Sequence, residues 1–400
     1  MTDFFYAPQM TLHIFNPEHD IALAANLENF TAPHAARQLR HDLGFLPAIW
    51  ANDGDAVLVD DVETAKVSLQ RFAISARRRL GITLNKEAKW QSSKKAVAGA
   101  DAVNPWGWDT ALRARLRRLG IADSIMPDNE QLHLIRNLSH RRTATQLMGM
   151  LRDDGLNKVI CEVPVECCTM EEVECALARH ESNVIKAPWS SSGRGLRFVG
   201  QTLHIEAQTP GKAKPQTDKS LQGWLRNVLK QQGSVMVEPY YNKVKDIGME
   251  FMSYADGHVD YCGLSLFHTT NGAYTGNILA TEHTKREMTS RYIPLQLIDK
   301  VSERICHHLT TIIQGQYCGP IGVDMMVCPN STHRQTTGEA QESKGFMLHP
   351  CVEINLRRTM GHVALALMPT DNDIVCVMRI EQGMIRIERT NYELIDTKKT

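Results

Sequence analysis

Residues 352–358 read Val352-Glu353-Ile354-Asn355-Leu356-Arg357-Arg358. The stretch alternates apolar and polar, the period of a half-buried strand, and a strand is expected over Gly345–Ile354. Glu353 and Asn355 stand two positions apart, so on a strand both point to one face. A second apolar run, Pro320–Val327, carries Asp324 within Gly322-Val323-Asp324-Met325-Met326. A charge in an apolar strand is costly unless it is paired or holds a metal. Two acids and an amide oxygen on neighbouring strands are hard oxygen ligands of the kind that hold magnesium against phosphates. Asp324, Glu353 and Asn355 are therefore the expected metal ligands. Arg357 and Arg358 follow at once, placed to neutralise a transferring phosphoryl group or an acyl phosphate. A buried acid–arginine ion pair is the plainer alternative; the spacing favours metal.

Working back along the chain, Val184–Ala187 is expected as a strand ending in Lys186. It runs into Pro188-Trp189-Ser190-Ser191-Ser192-Gly193-Arg194-Gly195, and extended chain resumes at Leu196–Val199. Nucleotide phosphates need a fixed cation and donors that approach closely. Lys186 supplies the charge, Ser191 and Ser192 supply hydroxyls, and Gly193 and Gly195 let backbone N–H groups come near. The spacing is not that of a P-loop, and a simple turn is the alternative. Glu238 ends the apolar strand Ser234–Glu238, and Asp246 follows in the next segment. A strand leaving the core into a hinge with acceptors suits adenine and ribose; a solvated acid at a strand end is the alternative.

The amino-terminal third reads differently. Met10–Asn16 and Ala56–Val59 are expected strands. Ala35–Leu43, Ala73–Leu80 and Thr110–Leu119 are expected helices, and Ala96–Val103 leads into a strand end at Asn104. Strands alternating with helices imply a parallel sheet covered on both faces. Asn16 is placed to cap a helix over Ile21–Ala25. Two strand-end clusters are candidate substrate contacts, because ligands of open parallel sheets lie beyond the carboxyl ends of strands. One holds Asn16, Glu18, His19 and Asp20; the other holds Trp106, Trp108 and Asp109. Pro127–Leu151 is expected as one long helix, Gly248–Tyr254 and His258–Phe267 as antiparallel strands, and Asp373–Glu388 as a strand pair about Gln382-Gly383. The loop His268–Asn277 adds Asn271 and Asn277 as candidate substrate contacts.

Bulk composition narrows the classes. The chain has 400 residues, with Lys plus Arg 45 against Asp plus Glu 45, so its formal charge is zero. Nothing in that balance calls for nucleic acid or an anionic membrane. The ten Cys include no C-x-x-C pair, which reads as free thiols in a reducing compartment and not as zinc ligands. No secretory signal or membrane-length apolar run stands out, and a cytoplasmic location is the expectation.

Taken in order, these pieces resemble the ATP-grasp superfamily over roughly residues 125–370. Leu138-Ser139-His140-Arg141 resembles its phosphate-touching segment, with Arg141 where Lys is usual. Val184–Pro188 with the Ser/Gly loop resembles the lysine strand and its lid. Val237-Glu238 with Asp246 resembles the adenine and ribose hinge. Asp324, Glu353, Asn355 and Arg357 resemble the metal-binding acids, asparagine and trailing arginine, although Leu356 stands where Pro is common.

The resemblance implies an α/β chain. A parallel N-terminal domain (1–122) would precede a two-lobed α+β ATP-grasp domain, its first lobe at 123–205 with the flap and its second at 206–400 with hinge and metal site. It implies ATP with Mg2+ (Mn2+ as a substitute), and a ligase that activates a carboxylate as an acyl phosphate and joins it to an amine, or less often a thiol, releasing ADP and phosphate. Small-molecule or peptide substrates follow, with no nucleic acid, no membrane and a homodimer as the commonest assembly. Two other readings fit the same residues: a small-molecule kinase, and a nucleotide-binding regulator without turnover.

Overall fold

A computed structural model describes residues 10–84, 89–97, 99–157, 159–190, 195–200, 219–270, 273–330 and 345–390. The expectations at Ser191, Ser192, Gly193 and Asn271 lie outside the described residues.

The chain opens with β1 (Thr11–Ile14), α1 (His19–Ala25), α2 (His34–Leu43), β2 (Ala56–Val59), α3 (Val62–Leu80), β3 (Lys89–Ser92), β4 (Ala102–Pro105) and α4 (Thr110–Arg118). The four strands form a parallel sheet in the order β3-β2-β1-β4. Helix α3 is longer than the expected Ala73–Leu80. Its polar first turns lack a clear apolar stripe, but the Asp61 carboxylate accepts from the Thr64 N–H at 2.8 Å and starts it. Asn16 does not cap α1; Glu18 stands at that position without a side-chain cap bond. The Asn16 amide instead donates to the Gly107 carbonyl at 2.9 Å, tying the chain after β1 to the chain after β4.

Then come α5 (Asn129–Leu138), α6 (Arg141–Leu151), β5 (Val165–Cys167), α7 (Met170–Leu177), β6 (Ser182–Lys186), β7 (Leu196–Gly200), α8 (Lys219–Gln232) and β8 (Val235–Pro239). The single helix expected over Pro127–Leu151 is two. His140 takes extended backbone angles, and its Nδ1 accepts from the Arg142 N–H at 3.0 Å, so a new helix is capped there. The strands pair antiparallel in the order β5-β8-β6-β7. Strand β8 therefore belongs to the smaller sheet, and the change of lobe falls after Glu238 and not at residue 205.

The remainder is β9 (Lys245–Ser253), β10 (Val259–Thr270), β11 (Ala273–Leu279), α9 (Glu282–Ser290), α10 (Leu295–Ile313), β12 (Gly319–Pro329), β13 (Phe346–Asn355), α11 (Met360–Ala366), β14 (Cys376–Glu381) and β15 (Met384–Arg389). These seven strands form one antiparallel sheet, β13-β12-β9-β10-β11-β14-β15. The turn of the last hairpin uses Gln382 and Gly383 at φ 51° and 74°, the left-handed angles that a two-residue hairpin requires.

Strand periodicity divides the large sheet's faces. Ile247, Met249 and Phe251 of β9 point into a core closed by Leu147 and Met148 of α6 and by Ile305 and Leu309 of α10. The alternate residues Asp246, Gly248 and Glu250 face the other way, toward the small sheet. A second core joins the first domain to the end of the chain: Phe72 and Ala76 of α3 meet Cys376, Met378 and Ile387 of the final hairpin. The small sheet has its own core, with Ile185 and Val237 under Leu225 and Val228 of α8. No helix among the described residues is long and apolar enough to cross a membrane.

Candidate active site

The small sheet and the free face of the large sheet enclose a cavity of about 800 Å³. That volume suits a nucleotide-sized ligand. The sequence-picked residues reach it from separate elements.

From the small sheet comes Lys186, the last residue of β6. Its ammonium sits 2.5 Å from Oε1 of Glu238 on β8, and both side chains are buried. Lys186 pairs with Met236 and Val184 with Glu238 across the ladder, so the two charges are diagonal neighbours on one face. Burial alone would raise the pKa of Glu238. Lys186 and His349, the latter at 3.4 Å, together outweigh it, and the carboxyl is held down to about 2. Asp246 lies at the start of β9, where it accepts from Lys243 at 2.7 Å and from the Thr269 hydroxyl at 2.8 Å.

From the large sheet come the acids. Asp324 and Glu353 stand directly opposite each other on β12 and β13, and Asn355 is the next cleft-facing residue of β13. Burial pushes Asp324 up to about 7, with the Glu353 and Glu250 carboxylates adding to the effect and Arg357 and Asn355 opposing it. The Asn355 Nδ2 donates to Asp324 at 3.2 Å, which leaves the amide oxygen free of that bond. Two crowded carboxylates beside an amide oxygen fit a divalent ion, whose charge would remove the penalty on Asp324. Among the described residues no three His, Cys, Asp or Glu side chains form a cage on their own. The set is an incomplete shell of the kind that magnesium completes with water and phosphate oxygens.

Arg141 closes the gap between lobes. It opens α6, and its guanidinium donates to Glu353 at 2.9 Å and to the Ser190 hydroxyl at 3.0 Å, and also to the Ala187 carbonyl. Gly195 packs against Ser190 so closely that a Cβ there would overlap the serine side chain, and its carbonyl accepts from Ala187 N–H at 2.8 Å. The base of the Ser/Gly loop is thus pinned beside Lys186.

Arg357 borders the cavity, but its guanidinium is held by Asp20 of α1, at 2.7 Å and 2.8 Å. Burial would raise Asp20, yet Arg357 holds its pKa below the ordinary carboxylate value. Asp20 and His19 line a narrow recess that also touches Glu353 and Arg357. Trp106 reaches the main cavity and packs edge-on against Phe15 at 4.9 Å. Asn277 reaches it too, donating to Ser265 at 2.9 Å and accepting from Tyr274 at 2.5 Å.

Five expected contacts lie elsewhere. The Arg358 guanidinium stacks on Trp50 at 4.4 Å from the ring centre, and burial lowers its pKa to about 10. The chain bends at Leu356 and Arg357, just past the end of β13, and Arg357 and Arg358 do not share the site. Trp108 packs between two hydrophobic cores. Glu18 pairs with Arg40. Asn16 and Asp109 are likewise spent inside the first domain, with Asp109 bonded to His19 at 3.2 Å.

The sequence reading passed over Glu250, Ser265 and Thr359, which line the same cavity. The alternation Asp246, Gly248, Glu250 was the available signal: once Asp246 is placed in the cleft, period two brings Glu250 with it.

Two unequal sheets close on a cleft, with a strand-end lysine and an acid on one side and an acid–acid–amide set on the other, the arrangement that the resemblance to the ATP-grasp superfamily implies. No family model and no curated protein matches the sequence. Among solved structures, the chain is similar to N5-carboxyaminoimidazole synthetase from Staphylococcus aureus complexed with ADP, at 12% identity over 93% of this chain and 82% of that one, TM-score 0.44. It is also similar to biotin carboxylase from Campylobacter jejuni complexed with β-γ-ATP, at 12% identity over 94% and 78%, TM-score 0.48. A third is N5-carboxyaminoimidazole synthase from Aspergillus clavatus with ADP and 5-aminoimidazole ribonucleotide, at 12% identity over 93% and 81%, TM-score 0.39. At that level of likeness the chemistry rests on this chain's own residues.

Proposed function

We propose that this protein is an ATP- and magnesium-dependent ligase that activates a carboxylate as an acyl phosphate and joins it to an amine. One observation carries the reading: Lys186 and Glu238 from the small sheet, and Asp324, Glu353 and Asn355 from the large sheet, border a single cavity. Lys186 would hold nucleotide phosphate, giving up part of its contact with Glu238. Glu238 and Asp246 would hold the ribose side of the nucleotide. Asp324, Glu353 and the Asn355 oxygen would hold magnesium, which when bound neutralises phosphate charge and polarises the transferred group. Arg141 spans the two lobes at the same point and adds a fixed cation. Closure of the cleft around bound nucleotide would keep water from hydrolysing an acyl phosphate.

The test has two stages. Titration calorimetry with MgATP should show binding, weakened about tenfold or more by Lys186→Ala. A metabolite screen read by ADP release should then show turnover that Glu353→Ala abolishes while the circular dichroism spectrum stays unchanged. An amide product identifies a ligase, whereas a stable phosphorylated product would replace this reading with a kinase. Undiminished ADP release by Glu353→Ala would refute the site.

A further inference from the structure

We infer that Arg141 makes the metal site conditional on phosphate: its guanidinium bars a bare divalent ion from Asp324 and Glu353, and the ion enters together with a nucleotide that draws the guanidinium off. The inference rests on the ligase reading and adds to it the order in which the site fills.

Position comes first. Arg141 opens α6, whose Leu147 and Met148 pack into the core beneath the large sheet. Its side chain nevertheless reaches both lobes. One terminal nitrogen donates to the Ala187 carbonyl and, at 3.0 Å, to the Ser190 hydroxyl, at the base of the Ser/Gly loop. The other donates to Oε1 of Glu353 at 2.9 Å. The backbone N–H of Arg141 adds a bond to the Pro188 carbonyl at 3.3 Å. The guanidinium is thus held against one of the two acids that would ligate metal, and it borders the main cavity. A lysine, with a single point charge, could not keep both sets of contacts at once.

Charge comes second. Arg357 is taken by Asp20, and Arg141 offsets Glu353. Glu250, two strands from Glu353, is taken up by the Thr359 hydroxyl and His362. Among the described residues Asp324 has no ion-pair partner, and its near contact is the Asn355 amide at 3.2 Å. A bare divalent ion set here would meet one uncompensated carboxylate and a guanidinium beside it, in a buried setting that screens their repulsion poorly. Phosphate reverses the balance. It binds a guanidinium as well as a carboxylate does, and ADP or ATP brings more negative charge than the ion brings positive. The Arg141 Nε–H is buried and has no acceptor among the described residues, so the guanidinium has a donor to spare. Arg141 is in this sense a positioning residue for Glu353: it exchanges that carboxylate for phosphate and so frees it for the ion.

The experiment uses the full chain with Mn2+ as the probe. The readout is the longitudinal relaxation rate of water protons, which rises when Mn2+ is held by a protein; no turnover is involved. The unaltered protein should hold Mn2+ in the presence of ADP, and about tenfold or more weakly without it. Arg141→Gln should bind Mn2+ without nucleotide about tenfold or more tightly than the unaltered protein does, whereas Arg141→Lys, which returns the charge, should not. Glu353→Ala on the Arg141→Gln background should erase the gain, which places the ion at the acid pair and not elsewhere on the surface. Equal Mn2+ affinity with and without ADP in the unaltered protein, no gain in Arg141→Gln, the same gain in Arg141→Lys, or a gain that survives Glu353→Ala would each overturn the inference. If no form holds Mn2+ even with ADP, the metal reading of Asp324, Glu353 and Asn355 fails first, and this inference with it. Should Arg141→Gln fail to fold, the unaltered protein with and without ADP decides.

Discussion

Arg357 grips Asp20 through two parallel N–H···O bonds of 2.7 and 2.8 Å, joining residues 337 positions apart in the chain. The fork fixes the arginine that trails the acid pair and docks α1 against the end of β13. Asp20→Asn removes one charge and leaves the partly buried guanidinium unpaired. The variant should lose about 2 kcal/mol of stability, read as a lower urea midpoint, because breaking one side of such a pair costs more than the pair contributes. Arg357→Lys should not recover it, since an ammonium cannot make both bonds. An unchanged midpoint in Asp20→Asn would show the fork to be energetically idle.

Asp324 stands at a cost that ligand binding recovers. Its pKa is raised to about 7, so above that pH the protein without metal carries an unfavourable buried charge. Asp324→Asn should therefore stabilise the metal-free protein at pH 8, by roughly 2–4 kcal/mol. The same change should abolish magnesium-dependent nucleotide binding. Calorimetric melting with and without MgATP checks both halves; a variant that is less stable than the parent without metal contradicts the argument.

Glu238 gives the opposite pH signature. Its folded pKa of about 2 lies below the ordinary 4.5, so the stability it contributes is present above about 4.5 and is lost as pH falls toward 2. The size is of the order of 3 kcal/mol for a shift of that extent. In Glu238→Gln the part of the acid-unfolding curve between pH 4.5 and 2 should flatten. Equal steepness in both proteins over that window would exclude Glu238 as its source.

Gly361 is required by close approach. A Cβ there would overlap Oε1 of Glu250 and lie 2.6 Å from the Ser265 hydroxyl. Gly361→Ala should cost about 1–3 kcal/mol, as overpacking of a filled site does. It should also depress turnover more than it depresses nucleotide affinity, because the displaced groups lie at the far end of the cleft. Steady-state ADP release compared with a binding titration separates the two effects.

Legibility followed the range of the signals. Glu353 and Asn355 were readable because strand period places them on one face, Asp324 because a charge in an apolar strand stands out, and Lys186 because its strand ends in a Ser/Gly loop. The fork to Asp20 was not readable, since no local pattern encodes a bond across almost the whole chain. Arg358 looked equal to Arg357 in sequence, and only the bend that follows β13 and the packing against Trp50 separate them. Helix α3 was read at less than half of its length because its apolar stripe emerges late, and β8 was assigned across the hinge because strand pairing is not written in any one strand.

The core shared by α3 and the last hairpin bears on how the chain is tied together. Phe72 and Ala76 are interleaved with Cys376, Met378 and Ile387, and the Asp20 fork clamps the same two bodies at a second point. The first domain and the large sheet are thus fastened to each other at two separate points. The four-stranded sheet, which carries Lys186, has a core of its own and is joined to the large sheet through the short segment after β8.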